Sequence, residues 1–177
     1  MARNYLRKRE FNIDELAMKG VGYCTSGEYY GYIIFPYYMK GGLIYYTGRK
    51  FFGEGPKFKN LPLEQCGIGK SQLIYNFDAL FLYDEISILE SITNCLTLGD
   101  NTAGIGGKHI SQWQFSSIVR SPVNAVNIIF DNDNPNKVEV PGYLEALKMG
   151  LRLSPHKQVR VIKMPLDMDV NDVGKEI

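Results

Sequence analysis

The stretch Asn124-Ala-Val-Asn-Ile-Ile-Phe-Asp-Asn-Asp133 places two acids directly after a mostly apolar run. A short apolar run of this kind, rich in β-branched residues, predicts a buried strand. Buried strands are typical of parallel sheets, which carry helices on both faces. In open parallel sheets, ligands bind where the strands end, so these two acids are candidates for a functional site.

Elements of alternating type surround this strand. Further strands are expected at 85–89 and 158–162, and helices at 71–82, 92–98, 111–119 and 143–153, with glycine-rich turns at 99–107. Strands that alternate with helices predict βαβ units and a mostly parallel central sheet. The fold class expected for residues 71–177 is therefore α/β.

Residues 1–70 follow a different pattern. A short helical region is expected at 5–19, with Asn12 or Asp14 as its cap. Two runs rich in aromatic residues, 28–38 and 43–47, flank Lys40-Gly41-Gly42, which predicts a β-hairpin. We therefore expect two domains: a strand-rich α+β subdomain at 1–70 and an α/β domain at 71–177.

The net charge of +1 conceals an asymmetry between these two parts. Residues 1–70 carry 11 Lys and Arg against 6 Asp and Glu, whereas residues 71–177 carry 9 against 13. A basic part followed by an acidic part indicates one surface for a polyanion and another for cations.

Composition excludes several classes of protein. The chain has 177 residues, of which 45% are hydrophobic and 22% charged, as in ordinary globular proteins. No apolar run reaches the roughly 18 residues that a membrane span requires, and no apolar segment follows the basic N-terminus as in a secretory signal. The three cysteines are scattered without a CxxC pair, which predicts free thiols, no structural zinc site and a cytoplasmic location.

Acidic residues follow all three predicted parallel strands. They are Glu90 after the first, Asp131 and Asp133 after the second, and Asp167 and Asp169 after the third. A single acid at such a position can be a helix cap. Three sets at one sheet edge would repel one another unless a cation neutralised them, and Mg²⁺ prefers such oxygen ligands. Together they predict a divalent metal site.

Several short motifs accompany these acids in a fixed order. They are Asn4-Tyr-Leu-Arg-Lys-Arg9, Tyr32-Ile-Ile-Phe-Pro36, Gly48-Arg49, Pro56-Lys-Phe-Lys-Asn60, Lys70 five residues before Tyr75, and Asp167-Met-Asp-Val-Asn-Asp172. The order of the acids resembles the toprim pattern of topoisomerases, primases and some nucleases. With the other motifs, residues 3–177 resemble the catalytic core of bacterial and phage DNA primases of the DnaG type.

The resemblance implies roles for individual residues. Glu90, Asp131 and Asp133 would be catalytic, and the same three with Asp169 would hold Mg²⁺ or Mn²⁺. The residues implied to contact template or nucleotide phosphate are Arg49, Lys57 and Lys70, with Asn60 in the same basic loop. Residues 1–70 would then bind template and nucleotide, and residues 71–177 would form the metal-binding catalytic domain.

The sequence departs from the family pattern at the acidic site. Where the family has Glu-Gly-x-x-Asp, this chain has Glu90-Ser91-Ile-Thr-Asn94. Asn94 keeps an oxygen ligand but lacks the negative charge. The glycine that closely follows Asp-x-Asp in the family is delayed here until Gly142.

The function implied by the resemblance is DNA-templated synthesis of short RNA primers. Nucleotides would be transferred from nucleoside triphosphates (NTPs) on a single-stranded DNA template in the cytoplasm of a bacterium or a phage-infected cell. Further partners would be a replicative helicase or a separate zinc-binding module that recognises the template, with no membrane partner. Two alternatives stay open: a toprim nuclease, and a nucleic-acid-binding module catalytically weakened by Ser91 and Asn94.

Overall fold

A computed structural model describes residues 1–132 and 142–174 of the chain. Contacts between Cα atoms divide the chain into two compact units, Met1–Ile68 and Gly69–Ile177. Within the described ranges, no helix has both the length and the apolar character that a membrane span requires.

The first unit is built on an antiparallel sheet with the strand order β1-β2-β3-β4. Its strands are β1 (Gly22–Tyr23), β2 (Tyr32–Met39), β3 (Gly42–Lys50) and β4 (Phe58–Asn60). The predicted hairpin is confirmed as β2–β3, although its first strand begins at Tyr32 rather than at 28. Lys40 and Gly41 both have positive φ, as expected for a two-residue turn between twisted strands.

The helical region predicted at 5–19 consists of two helices, α1 (Ala2–Arg7) and α2 (Ile13–Met18). The helical conformation is interrupted between them, where Glu10 has a φ of 60°. The side chain of Asn12 then accepts hydrogen bonds from the N–H groups of the first turn of α2, so Asn12 is the cap. A short helix α3 (Leu63–Cys66) ends the unit.

The second unit contains a four-stranded sheet in the order β6-β5-β7-β8, with every pair parallel. Its strands are β5 (Glu85–Leu89), β6 (Thr102–Gly104), β7 (Ala125–Phe130) and β8 (Gln158–Lys163). Its α-helices are α4 (Ala79–Leu82), α5 (Ile92–Leu98), α6 (Gln112–Arg120), α7 (Gly142–Leu153) and α8 (Val170–Val173). The α/β prediction with a mostly parallel sheet is therefore confirmed. Ile86, Ile88 and Ile128 are fully buried in its core.

Two local predictions in this unit are wrong. Only residues 79–82 of the helix predicted at 71–82 are α-helical, and a short 3₁₀ turn covers Lys70–Gln72. Between them, Tyr75 exchanges backbone hydrogen bonds with Gly104 (2.8 and 3.1 Å). The apolar residues Leu73 and Ile74 are buried in this extended segment rather than on a helix face. The region predicted as turns at 99–107 also contains β6.

Candidate active site

Two of the predicted acids meet at the carboxyl edge of the parallel sheet. Strands β5 and β7 are neighbours, and their register places Leu89 beside Ile129. Glu90 and Asp131 follow these strands directly and are therefore brought together. The backbone N–H of Asp131 donates a hydrogen bond to Oε1 of Glu90 at 3.1 Å, and this bond orients the Glu90 carboxylate at the strand ends.

Helix α5 adds a third polar group to this pair. Ser91 caps the helix by accepting a hydrogen bond from the N–H of Asn94 at 3.2 Å. The Asn94 side-chain amide then donates to Oδ1 of Asp131 at 3.1 Å. Asn94 is only 1% exposed, and its own Oδ1 accepts no hydrogen bond from the described part of the chain.

The start of helix α7 lies against the same two acids. Gly142, its first residue, is buried. A Cβ at this position would collide with Oε1 of Glu90 and with the carbonyl oxygen of Asp131. The positive end of the α7 dipole is therefore near the acids, and only glycine permits this approach.

Asp169 lies at the start of α8, where it acts as a cap. Its Oδ1 accepts the N–H of Asp172 at 3.0 Å, and its own N–H donates to Oδ2 of Asp172 at 3.0 Å. A hydrogen bond of 3.1 Å between the side chains of Thr97 and Asn171 joins α8 to α5.

Over residues 1–132 and 142–174, no three His, Cys, Asp or Glu side chains form a metal-binding group. Asp133 lies outside the described residues.

The groups around Glu90 and Asp131 nevertheless suit a hard divalent cation. They comprise two carboxylates and the buried, unpartnered Oδ1 of Asn94, and all of these donors are oxygens. Mg²⁺ commonly takes only one or two carboxylates from the protein and keeps several waters. Glu90 and Asp131 could therefore hold such an ion.

Three of the predicted phosphate contacts belong to the first unit, on β3 and β4. Arg49 lies on β3 opposite Phe58, and its guanidinium stacks 4.6 Å from the centre of that ring. Asn60 pairs with Thr47 in the same register, and their side-chain oxygens are 2.7 Å apart. Lys57 is exposed immediately before β4. The β3–β4 pair thus carries Arg49, Lys57 and Asn60 within a few residues of one another.

Lys70 belongs to the second unit, where it begins the 3₁₀ turn and is exposed. Its aliphatic chain lies beside Gly106.

Two features of the site go beyond the sequence prediction. The sequence indicates Asn94 only as a replacement for an acid, whereas in the structure its side-chain amide donates a hydrogen bond to Asp131. The sequence indicates Gly142 only by its delayed position, yet in the structure a side chain at this position would collide with both Glu90 and Asp131. In the sequence, both residues could be recognised only from their positions relative to the acidic motifs.

Comparisons with known proteins agree with this architecture. No protein-family model matches the chain. A DNA primase from Staphylococcus aureus (strain MSSA476) is 29% identical over 192 residues, covering 97% of this chain and 30% of that protein. The chain thus spans about three tenths of the length of the curated relatives it matches.

Among solved structures, one described as the DnaG catalytic core has a TM-score of 0.80 with 18% identity, over 99% of this chain and 69% of its own. A DnaG primase catalytic domain bound to single-stranded DNA has a TM-score of 0.76 with 18% identity, over 97% and 68%. The zinc-binding and RNA polymerase domains of Aquifex aeolicus primase have a TM-score of 0.77 with 17% identity, over 96% and 51%.

The resemblance predicted from the motifs is therefore confirmed. The chain is similar to a DNA primase over nearly its whole length, and its fold is that of the DnaG-type catalytic core. The relatives do not favour the nuclease alternative.

Proposed function

We propose that this chain is the catalytic core for DNA-templated synthesis of short RNA primers, and thus a nucleotidyltransferase. The observation that carries the proposal is the pairing of Glu90 with Asp131 at the carboxyl edge of the parallel sheet. It occurs in a chain that has the DnaG core fold and primase relatives.

In the proposed reaction, the 3′-hydroxyl of one nucleotide attacks the α-phosphate of a ribonucleoside triphosphate. A new O–P bond forms, the bond to the bridging oxygen breaks, and pyrophosphate leaves. Glu90 either orients the attacking hydroxyl or accepts its proton, and its hydrogen bond to the Asp131 N–H holds it in place for this role.

We assign the metal site to Glu90, Asp131, Asp133 and Asp169, with Mg²⁺ or Mn²⁺ as the ion. Such an ion, when bound, neutralises the charge of the triphosphate. Asn94 restrains Asp131 through its amide, so that the carboxylate keeps a single orientation toward the sheet edge.

We assign template and nucleotide phosphate binding to Arg49, Lys57, Asn60 and Lys70. In the basic first unit, Arg49 lies on β3, Asn60 lies on β4, and Lys57 immediately precedes β4. Binding through phosphates should weaken steeply as the salt concentration rises.

We propose single-stranded DNA and NTPs as the substrates, and a zinc-binding module as a partner in template recognition. A relative of similar fold has been solved with single-stranded DNA, and another together with a zinc-binding domain. A replicative helicase is a further partner to test, and we place these events inside the bacterial cell.

Incorporation of labelled ribonucleotides on single-stranded DNA, with Mg²⁺ or Mn²⁺, tests the proposal. Glu90→Gln and Asp131→Asn should each lower incorporation by about a hundredfold or more, as expected for loss of a group that moves or orients a proton or neutralises charge. Glu85→Gln is the matched control, because Glu85 is exposed and lies at the opposite end of β5, the strand that Glu90 follows.

Unchanged incorporation in both site variants would contradict the assigned site. Salt-sensitive DNA binding without any incorporation by the parent protein would instead indicate a binding module. Metal-dependent cleavage of nucleic acid without triphosphate would indicate a nuclease.

A further inference from the structure

Helix α7 carries apolar side chains on two opposite faces. Its buried face, which includes Ala146 and Leu153, packs against β7 and β8. On the other side, Leu144 is 48% exposed, Leu147 is 38% exposed and Leu151 is 76% exposed. A surface helix usually places polar residues on the face that points away from the core, whereas a helix that is apolar all round is buried. The outer face of α7 therefore resembles a face that a further element covers.

The three exposed leucines, Leu144, Leu147 and Leu151, form a leucine stripe along the helix. Leu147 follows Leu144 by three residues and Leu151 follows Leu147 by four, so they lie on successive turns of one helix face. Single exposed leucines are common on protein surfaces, but a contiguous apolar stripe marks an interaction site. Apolar residues at positions i, i+3 and i+7 have the spacing with which one amphipathic helix contacts another.

Positively charged side chains lie on both flanks of the leucine stripe. On the flank that faces α6, Lys148 is exposed, and the Arg152 guanidinium stacks 4.5 Å from the centre of the Phe115 ring. On the other flank, Nζ of Lys163 lies 5.3 Å from the centre of the Tyr143 ring. The two aromatic contacts hold Arg152 and Lys163 beside the helix, so their charges border the stripe.

These cations are not balanced by acids of the same face. Glu145 is the one acid in the sequence of α7, and its side chain is 12% exposed. It accepts a hydrogen bond from Nζ of Lys148 at 2.6 Å, and its other oxygen lies 3.0 Å from Nδ1 of His109. Glu145 thus offsets Lys148, whereas Arg152 and Lys163 form no ion pair with the described part of the chain. The leucine stripe is therefore bordered by net positive charge.

We propose that the leucine stripe docks an amphipathic helix of a partner protein, with apolar residues along one face and acidic residues on both flanks of that face. Contact between the apolar faces would remove the leucines from water, and pairing of the acids with Arg152 and Lys163 would fix the orientation of the incoming helix. A second copy of this chain is a poorer match, because an isologous contact would bring two positively charged faces together. The proposal goes beyond the proposed function and does not depend on it, since the contact involves neither nucleotide nor metal.

Fluorescence anisotropy with the full chain and a labelled helical peptide of about 20 residues tests the proposal. The acidic peptide carries leucines at the same i, i+3 and i+7 spacing and glutamates on both flanks, and a basic peptide has lysine in place of each glutamate. The acidic peptide should bind, and the basic peptide should bind at least about tenfold more weakly, because like charges would then face each other. Raising the salt concentration from about 0.05 to 0.5 M should reduce this preference.

Substitution within the leucine stripe tests the apolar contact. Leu151→Ala should weaken binding of the acidic peptide about 5- to 30-fold, the range for a residue that contributes strongly to an interface, and Leu151→Met should retain most of the affinity. Leu82→Ala is the matched control, because Leu82 is 74% exposed on α4 and lies outside the stripe. Arg152→Gln should reduce the difference between the acidic and basic peptides, whereas Arg3→Gln, which removes an exposed cation of the first unit, should leave it unchanged.

The possible outcomes separate a partner helix from other occupants. The proposal would be overturned by acidic-peptide binding no tighter than about 1 mM, by equal affinity for the two peptides, or by a Leu151→Ala affinity within about twofold of the parent. In the absence of peptide binding, a dimer in sedimentation that Leu151→Ala abolishes would identify a second copy as the occupant. Binding to vesicles of anionic lipid that Leu151→Ala abolishes, again without peptide binding, would identify a membrane surface. Either of these results would also overturn the proposal.

Discussion

Replacing Asn94 with aspartate should destabilise the protein by an amount that depends on pH. The Asn94 amide donates to Oδ1 of Asp131 at 3.1 Å, and the residue is 1% exposed. An ionised carboxylate at this position would face Asp131 without solvent. The introduced carboxyl group must therefore be protonated in the folded state, and its O–H then replaces the lost N–H donor. Protonating at pH 7 a carboxyl whose ordinary pKa is about 3.9 costs about 4 kcal/mol.

The direction of this pH dependence follows from the difference in proton binding between the folded and the unfolded state. The folded state raises the pKa of the introduced carboxyl above its unfolded value, so the penalty is absent below about pH 4 and grows by about 1.4 kcal/mol per pH unit above it. Urea unfolding in EDTA at pH 4.5, 5.5 and 7 measures this difference between variant and parent. The loss should be less than about 1 kcal/mol at pH 4.5.

Asn127→Asp is the matched control for this experiment. The Asn127 amide also donates to a carboxylate, Oε1 of Glu85 at 2.7 Å, but Asn127 is only half-buried and lies beside Arg160. Its penalty should be small and nearly independent of pH because water and the arginine screen the new charge. An Asn94→Asp penalty that is equal at pH 4.5 and 7 would refute the reasoning. Millimolar Mg²⁺ should restore more stability to Asn94→Asp than to the parent, because the added charge favours a cation.

Three further predictions concern packing and reactivity. Burial raises the pKa of the Cys95 thiol to about 12. A thiol reagent at pH 8 should therefore modify the other two cysteines in the native chain and reach Cys95 only after unfolding. Rapid modification of all three cysteines would contradict this prediction. Gly142→Ala should lower the free energy of unfolding in urea by about 1–3 kcal/mol, because the added methyl group has to displace Glu90. Helix propensity alone would instead raise the stability, and such a gain would contradict the close approach of Gly142 to the acids. Ile88→Ala should lower the free energy of unfolding by about 2–5 kcal/mol. Leu82 is 74% exposed, so Leu82→Ala should change it by no more than about 0.5 kcal/mol. Equal losses in the two variants would contradict the assigned core.

Hydrophobic periodicity was enough to predict the elements whose burial follows their own pattern. Strand β7 and helices α5 and α7 lie within one residue of the predicted bounds. The segment at 71–82 shows where this reasoning fails. Its apolar spacing matches a helix, but Tyr75 pairs with Gly104 from another element, and the same side chains are buried in an extended conformation. Spacing cannot separate these two outcomes, because the pairing partner is distant in sequence.

The candidate site likewise has features that are visible in the local sequence and features that depend on tertiary packing. That acids follow β5 and β7 is visible in the chain itself, because strand ends and side-chain types are local properties. The contacts among Glu90, Asp131, Asn94 and Gly142 depend on the parallel register of two strands separated by about forty residues, and on where the helices that follow them begin. Register and helix placement come from the packing of the whole unit, so only the folded structure makes Asn94 a donor to Asp131 and requires glycine at position 142.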